Sequence, residues 1–130
     1  METKIFEKEF FSEEDVISRY TSEQATEDGI LLETKILKNK IKGIENGPFS
    51  HITVNLLKKG GYMTEDENGI EFNFPNLLDL LTQALQIGRR GKKGDWMHSG
   101  RIETPNGTKQ QIFICQNETG KFTIMLAEDY

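Results

Sequence analysis

His98-Ser99-Gly100-Arg101-Ile102-Glu103-Thr104, then Pro105-Asn106-Gly107-Thr108, then Lys109-Gln110-Gln111-Ile112-Phe113-Ile114-Cys115-Gln116 is the stretch whose reading decides the fold. Two strand-like segments flank a turn. Its Asn-Gly pair tolerates the positive φ angles of a type I′ hairpin. Asn117-Glu118-Thr119-Gly120 turns the chain again, and Lys121 to Ala127 returns. The pattern predicts an antiparallel meander with strands near 98–104, 109–116 and 121–127.

Upstream of the meander lies the clearest helix. Leu77, Leu78, Leu80, Leu81, Ala84, Leu85 and Ile87 recur at helical spacing and give a wide apolar face. Pro75 and Asn76 open it. It ends between Gly88 and Gly91, where Arg89 and Arg90 sit favourably near its negative end. The fold class is therefore α+β: a small antiparallel sheet, the C-terminal meander, covered by a few helices.

The remaining chain is read in shorter pieces. Residues Lys4 to Phe11 read as an edge strand. Ser12 caps a short helix running to about Arg19, and Thr21 or Ser22 caps a second, stopped by Gly29. Ile30-Leu31-Leu32 reads as a buried strand or extended segment. Lys35 to Ile44 is amphipathic in either period, so helix and strand both stay open. Gly47-Pro48 is a break. Ser50 caps a helix from about His51 to Lys59, which Gly60-Gly61 ends. Thr64 to Gly69 forms an acidic turn, and the alternation of Ile70 to Phe74 predicts a short strand.

The 130 residues show no linker and no repeat, so residues 1–130 read as one domain. Hydrophobic content is 35% and charged content 28%, which suits a thin two-layer fold or one helped by self-association. Met1 to Glu9 lacks the apolar core of a signal peptide. No apolar run approaches the roughly 18 residues of a membrane span. A single cysteine, Cys115, leaves no internal disulfide, and together these features predict a cytoplasmic protein.

The net charge of -5 hides an uneven distribution. Met1 to Asp28 carries nine acids against three bases, Lys35 to Lys59 six lysines against one acid, and Gly88 to Arg101 five bases against one acid. An acidic chain with local basic segments attracts a small anion while repelling bulk nucleic acid. The segment Gly88 to Arg101 carries the most chemistry. It joins four glycines to Arg89, Arg90, Lys92, Lys93 and Arg101, and holds Trp96 and His98. Glycines let backbone N–H groups approach an anion closely, and arginine forks match phosphate oxygens in pairs. Trp96 offers a face for stacking on a base. These seven side chains are the expected ligand-binding set. Their spacing is not that of a Walker loop, so nucleoside triphosphate hydrolysis is not expected.

No catalytic set stands out. His51 at a helix start reads as a packed or surface residue. A dyad of Cys115 with His98 is conceivable, but Cys115 in a strand reads more simply as a small core residue. Asp66, Glu67 and Glu71 lack the spacing of a calcium loop, and no Cys or His pairing suits zinc, so neither metal nor cofactor is expected. The acids from Glu7 to Asp28 have a rival use: imitating the phosphate spacing of DNA to inhibit a host enzyme that handles nucleic acid.

Three blocks carry a resemblance. They are Tyr20-Thr21-Ser22-Glu23-Gln24-Ala25-Thr26-Glu27-Asp28-Gly29-Ile30-Leu31-Leu32, then in the middle Asp66-Glu67-Asn68-Gly69 followed by Leu78-Asp79-Leu80-Leu81 through Arg89-Arg90, and the closing Phe122-Thr123-Ile124-Met125-Leu126-Ala127-Glu128-Asp129. In order and rough spacing the chain resembles an uncharacterised family of small proteins carried by phages and plasmids. It departs at Ala127 and Leu78, where that family usually has proline and tryptophan, and Gly91 to Gly100 has no counterpart. The resemblance implies an accessory protein of a mobile element acting inside a bacterial host, and it supplies no active site. Host defences signal through cyclic nucleotides, and phages make small oligomeric proteins that sequester them. The expected function is thus non-catalytic capture of a phosphate-bearing nucleotide signal by a homo-oligomer. A protein–protein inhibitor of a host defence factor and a phosphodiesterase-like enzyme are the alternatives.

Overall fold

The computed structural model describes Thr26 and residues 29–130. The strand expected at Lys4 to Phe11 and the helix expected from Ser12 lie outside the described residues. So does most of the expected second helix, whose expected stop, Gly29, is among the described residues. Gly29 takes φ 78° and donates its N–H to the Thr26 carbonyl at 3.1 Å.

Seven strands and two α-helices follow among the described residues. The strands are β1 (Leu31–Glu33), β2 (Phe49–Thr53), β3 (Met63–Asp66), β4 (Gly69–Phe72), β5 (Met97–Glu103), β6 (Lys109–Gln116) and β7 (Phe122–Leu126). The helices are α1 (Val54–Gly60) and α2 (Phe74–Arg90). The expected meander is present: β5 pairs with β6 and β6 with β7, both antiparallel. The sheet then extends in the order β1-β2-β7-β6-β5, with β2 parallel to β7 and β1 antiparallel to β2. A separate β3–β4 hairpin takes in Thr64 to Asp66, which the sequence reading assigned to a turn.

Pleating sorts the strands into two faces. Ile102, Ile112, Ile114, Ile124, Leu126 and Ile52 point to the core face, where the α2 stripe Leu77, Leu80, Ala84 and Ile87 covers them. That stripe is narrower than the expected apolar face, since Leu78 remains 52% exposed. Each fully buried leucine or isoleucine contributes roughly 1.5–3 kcal/mol. α2 starts as its sequence requires: Asn73 caps it, its side chain accepting the Asn76 N–H at 3.0 Å, with proline in the first turn.

Three local expectations are corrected. The hairpin between β5 and β6 is not type I′. Its turn bond runs from the Gly107 N–H to the Thr104 carbonyl, which puts Pro105 at the first central position. Proline holds φ near -65°, which a type I′ turn does not allow at that position, and Gly107 goes left-handed, at φ 88°. Ser50 does not cap a helix at His51. Phe49 to Thr53 is a sheet-interior strand, and the cap is Thr53, whose hydroxyl accepts the Leu56 N–H. The β-branched Ile52 and Thr53 gain more from pairing with β1 and β7 than three extra helical residues would. Lys35 to Ile44 is neither α-helix nor strand. A 3₁₀ turn at Thr34–Leu37 and another at Ile44–Asn46 bury Leu37, Ile41 and Ile44.

One irregularity shapes the site. In β2, Phe49 pairs with Phe122 while His51 pairs with the next residue, Thr123, so Ser50 is an inserted bulge residue. Without it, Phe49 and His51 would share a face. The bulge sends Phe49 to the side of Phe122 and His51 to the opposite side.

Candidate functional site

The end of α2, the loop to β5, and the ends of β2, β6 and β7 enclose a groove of about 340 Å³. Its floor is apolar: Phe49, Leu85, Ile114 and Phe122. Its rim is polar: Arg89, Lys92, Lys93, Asp95 and His98. The chain leaves α2 at Gly91, turns through Lys92 to Asp95 with Gly94 at φ 92°, and enters β5. This tight return holds the loop cations over the floor.

His98 is the wall between this groove and a neighbouring hollow lined by Ile87, Arg90, Gly91, Asp95, Met97, Ser99 and Gly100. Its ring lies 5.9 Å from that of Phe122 and packs directly against Gly91, where a Cβ would collide with the imidazole.

The electrostatic balance favours an anion. Among the described residues, ion pairs engage Lys35, Lys58 and Lys59 and leave Arg89, Arg90, Lys92, Lys93 and Arg101 unpaired. The C-terminal end of α2 opposes an anion with about half an elementary charge. The rim sets three full positive charges and one carboxylate against it, so the positive charge prevails.

The structure therefore brings Arg89, Lys92, Lys93 and His98 around one groove. Arg90 faces the neighbouring hollow instead. Trp96 and Arg101 line neither cavity, and Trp96 is 56% exposed. The sequence reading missed the floor residues Phe49, Leu85, Ile114 and Phe122 and the acid Asp95. Only Asp95, inside the basic segment, left a signal there.

The Cys115–His98 dyad does not form. His98 pairs with Ile114 in the β5–β6 ladder, so Cys115 projects from the opposite face of the sheet. Burial pushes the Cys115 thiol up from its ordinary value, away from thiolate chemistry. His51 also lies on that opposite face, buried, with its Nδ1 2.8 Å from the Ser50 hydroxyl. Among the described residues no three His, Cys, Asp or Glu side chains cluster as a metal site, and no helix is long and apolar enough to cross a membrane.

Comparison with known protein families, with curated proteins and with solved structures finds no match to this chain.

Proposed function

We propose that the groove binds a small phosphate-bearing ligand of nucleotide type and holds it without turnover. The observation that carries this reading is the set of three cations, free of carboxylate partners among the described residues, over an apolar floor of two phenylalanines and two aliphatic side chains. An apolar floor with a few convergent polar groups is the usual form of a small-molecule site. A flat base suits the Phe49 and Phe122 end, and phosphate oxygens suit Arg89, Lys92 and Lys93. His98 beside Asp95 supplies a hydrogen-bonding group at the boundary rather than the paired acid and base that hydrolysis needs.

The setting we propose is that of a mobile-element accessory protein that counters a bacterial host's defence by sequestering its nucleotide signal. The resemblance to phage- and plasmid-borne proteins supports that setting, and the groove supports the ligand class.

Titration calorimetry against mono-, di- and cyclic oligonucleotides, with recovery of the ligand afterwards, tests the reading. We expect binding to at least one of these, intact recovery, and loss of binding when Lys92 and Lys93 are both changed to glutamate. Absence of heat with every member, or binding indifferent to the double reversal, overturns it. Cleaved ligand would transfer the case to an enzyme.

A further inference from the structure

Asp95 is the one carboxylate that lines the groove. Among the described residues its side chain makes no ion pair and no hydrogen bond, although Lys92 and Lys93 stand in the same loop. A free carboxylate beside a phosphate site repels the phosphate. Its presence is productive only where it faces hydrogen-bond donors on another part of the same ligand.

Backbone bonds fix where Asp95 stands. The Gln116 N–H donates to the Trp96 carbonyl at 2.6 Å, so Asp95, the preceding residue, approaches β5 beside Gln116. Gln116 lies directly opposite Phe122 in the β6–β7 ladder, on the same face of β6 as Ile114. Its amide nitrogen donates to the Gly120 carbonyl at 3.1 Å, which leaves its amide oxygen as an acceptor on the groove. Asp95 and Gln116 thus bring acceptor oxygens, and no free donor, to the Phe122 end of the floor. Leu85 and Arg89, one helical turn apart on α2, line another wall.

We propose that the base taken by the groove is guanine and that Asp95 selects it. The assignment rests on the nucleotide-binding reading of the same groove. With guanine on the Phe122 ring, its N1–H and one N2–H donate to the two Asp95 oxygens as a bidentate pair, and the other N2–H donates to the Gln116 amide oxygen. Guanine O6 accepts from a cation of the rim. No other common base carries two adjacent donors on that edge. Adenine and cytosine set a bare ring nitrogen beside their amino group, and uracil flanks its single N–H with carbonyl oxygens. Each of these turns a lone pair toward the carboxylate. The group that weakens the groove for phosphate alone therefore chooses the base.

The full chain and Asp95→Asn are titrated calorimetrically with the 5′-monophosphates of guanosine, inosine, adenosine, cytidine, uridine and 2′-deoxyguanosine. Asp95 is exposed and its side chain holds nothing, so the variant keeps the fold, which circular dichroism checks. We expect the parent to bind guanosine monophosphate at least about tenfold tighter than the adenosine, cytidine and uridine nucleotides. Inosine, which lacks the N2 amino group, should fall between, and 2′-deoxyguanosine should match guanosine. Asparagine offers one acceptor and one donor, which suits adenine, so Asp95→Asn should move the preference from guanine toward adenine. A variant that binds every base more tightly by one factor would show that Asp95 only lowers the charge of the rim. A parent that ignores the base but loses affinity for 2′-deoxyguanosine monophosphate would show that Asp95 holds ribose hydroxyls. Either result overturns the guanine assignment and leaves the nucleotide reading standing. Absence of heat with all six nucleotides overturns the assignment, and absence across the wider oligonucleotide panel overturns the reading beneath it as well.

Discussion

Thr53 donates its hydroxyl hydrogen to the Asp129 carboxylate at 2.8 Å, joining the start of α1 to the last turn of the chain. Asp129 also accepts from the Asn55 amide at 2.8 Å and the Leu126 N–H at 3.2 Å. The closing acidic pair, conspicuous in the sequence, thus acts as a clasp over the parallel β2–β7 junction. Replacing Asp129 by alanine should cost about 1–2 kcal/mol, since charge-assisted bonds to a half-buried carboxylate are lost. Urea unfolding measures it, and a change near zero would mean the clasp is decorative. Glu128, which pairs with Lys59 at 2.8 Å on the exposed side, should contribute far less.

Tyr62 is fully buried, and its hydroxyl has no hydrogen-bond partner among the described residues. Tyr62→Phe should therefore raise stability by about 1 kcal/mol, because an unsatisfied group is removed and the ring is kept. Burial first, and the Asp79 charge second, push the phenol up to about 12. Above its ordinary value of 10 the unfolded chain releases this proton while the folded chain keeps it, so stability should fall as pH rises from 10 toward 12. The phenylalanine variant should show a flatter decline in alkaline denaturation. A neighbouring substitution works the other way: Gly60→Ala drives a Cβ into the Tyr62 ring and should destabilise the chain clearly.

Acid should loosen the opposite face of the sheet through His51. Its burial lowers the imidazole below its ordinary 6.5, more than Glu33 and Glu118 raise it, while Lys35 lowers it further. Between 6.5 and the lowered folded value the unfolded chain binds the extra proton. Stability should therefore be full above 6.5 and decline as pH falls below it. Melting temperatures from pH 7.5 downward, for the parent and His51→Gln, check this; equal slopes would exclude His51 as the source.

Gly91→Ala should disturb the groove without unfolding the chain. Its φ of -83° suits any residue, but the new Cβ meets the His98 imidazole and must displace it. We expect an unchanged melting profile with a nucleotide affinity weakened about tenfold, read by calorimetry. Trp96→Ala should weaken it less than Phe122→Ala, because Phe122 forms the floor and Trp96 stands outside it. The reverse ranking would move the base to the tryptophan.

The meander, its two turns and α2 were legible in the sequence because each is specified locally. The β-branched and aromatic run Ile112 to Cys115, the Asn-Gly pair, and the helical spacing from Leu77 to Ile87 all act within a few residues of chain. So was the cationic half of the groove, concentrated between Gly88 and Lys93. The identity of β2 was not legible. Ser50 followed by an apolar run satisfies a helix start as well as a strand, and only the parallel partner β7, about 70 residues downstream, selects the extended form. The apolar half of the groove was hidden for the same reason: Phe49, Leu85, Ile114 and Phe122 stand on four separate elements, and Phe49 reaches the floor through the bulge at Ser50. By itself the sequence determined the local elements and where the positive charge collects. Tertiary structure alone decided which cations share a cavity, that Trp96 is left outside it, and that Cys115 and His98 stand back to back. Strand pairing register and face are set by contacts between distant segments, and no short-range pattern encodes them.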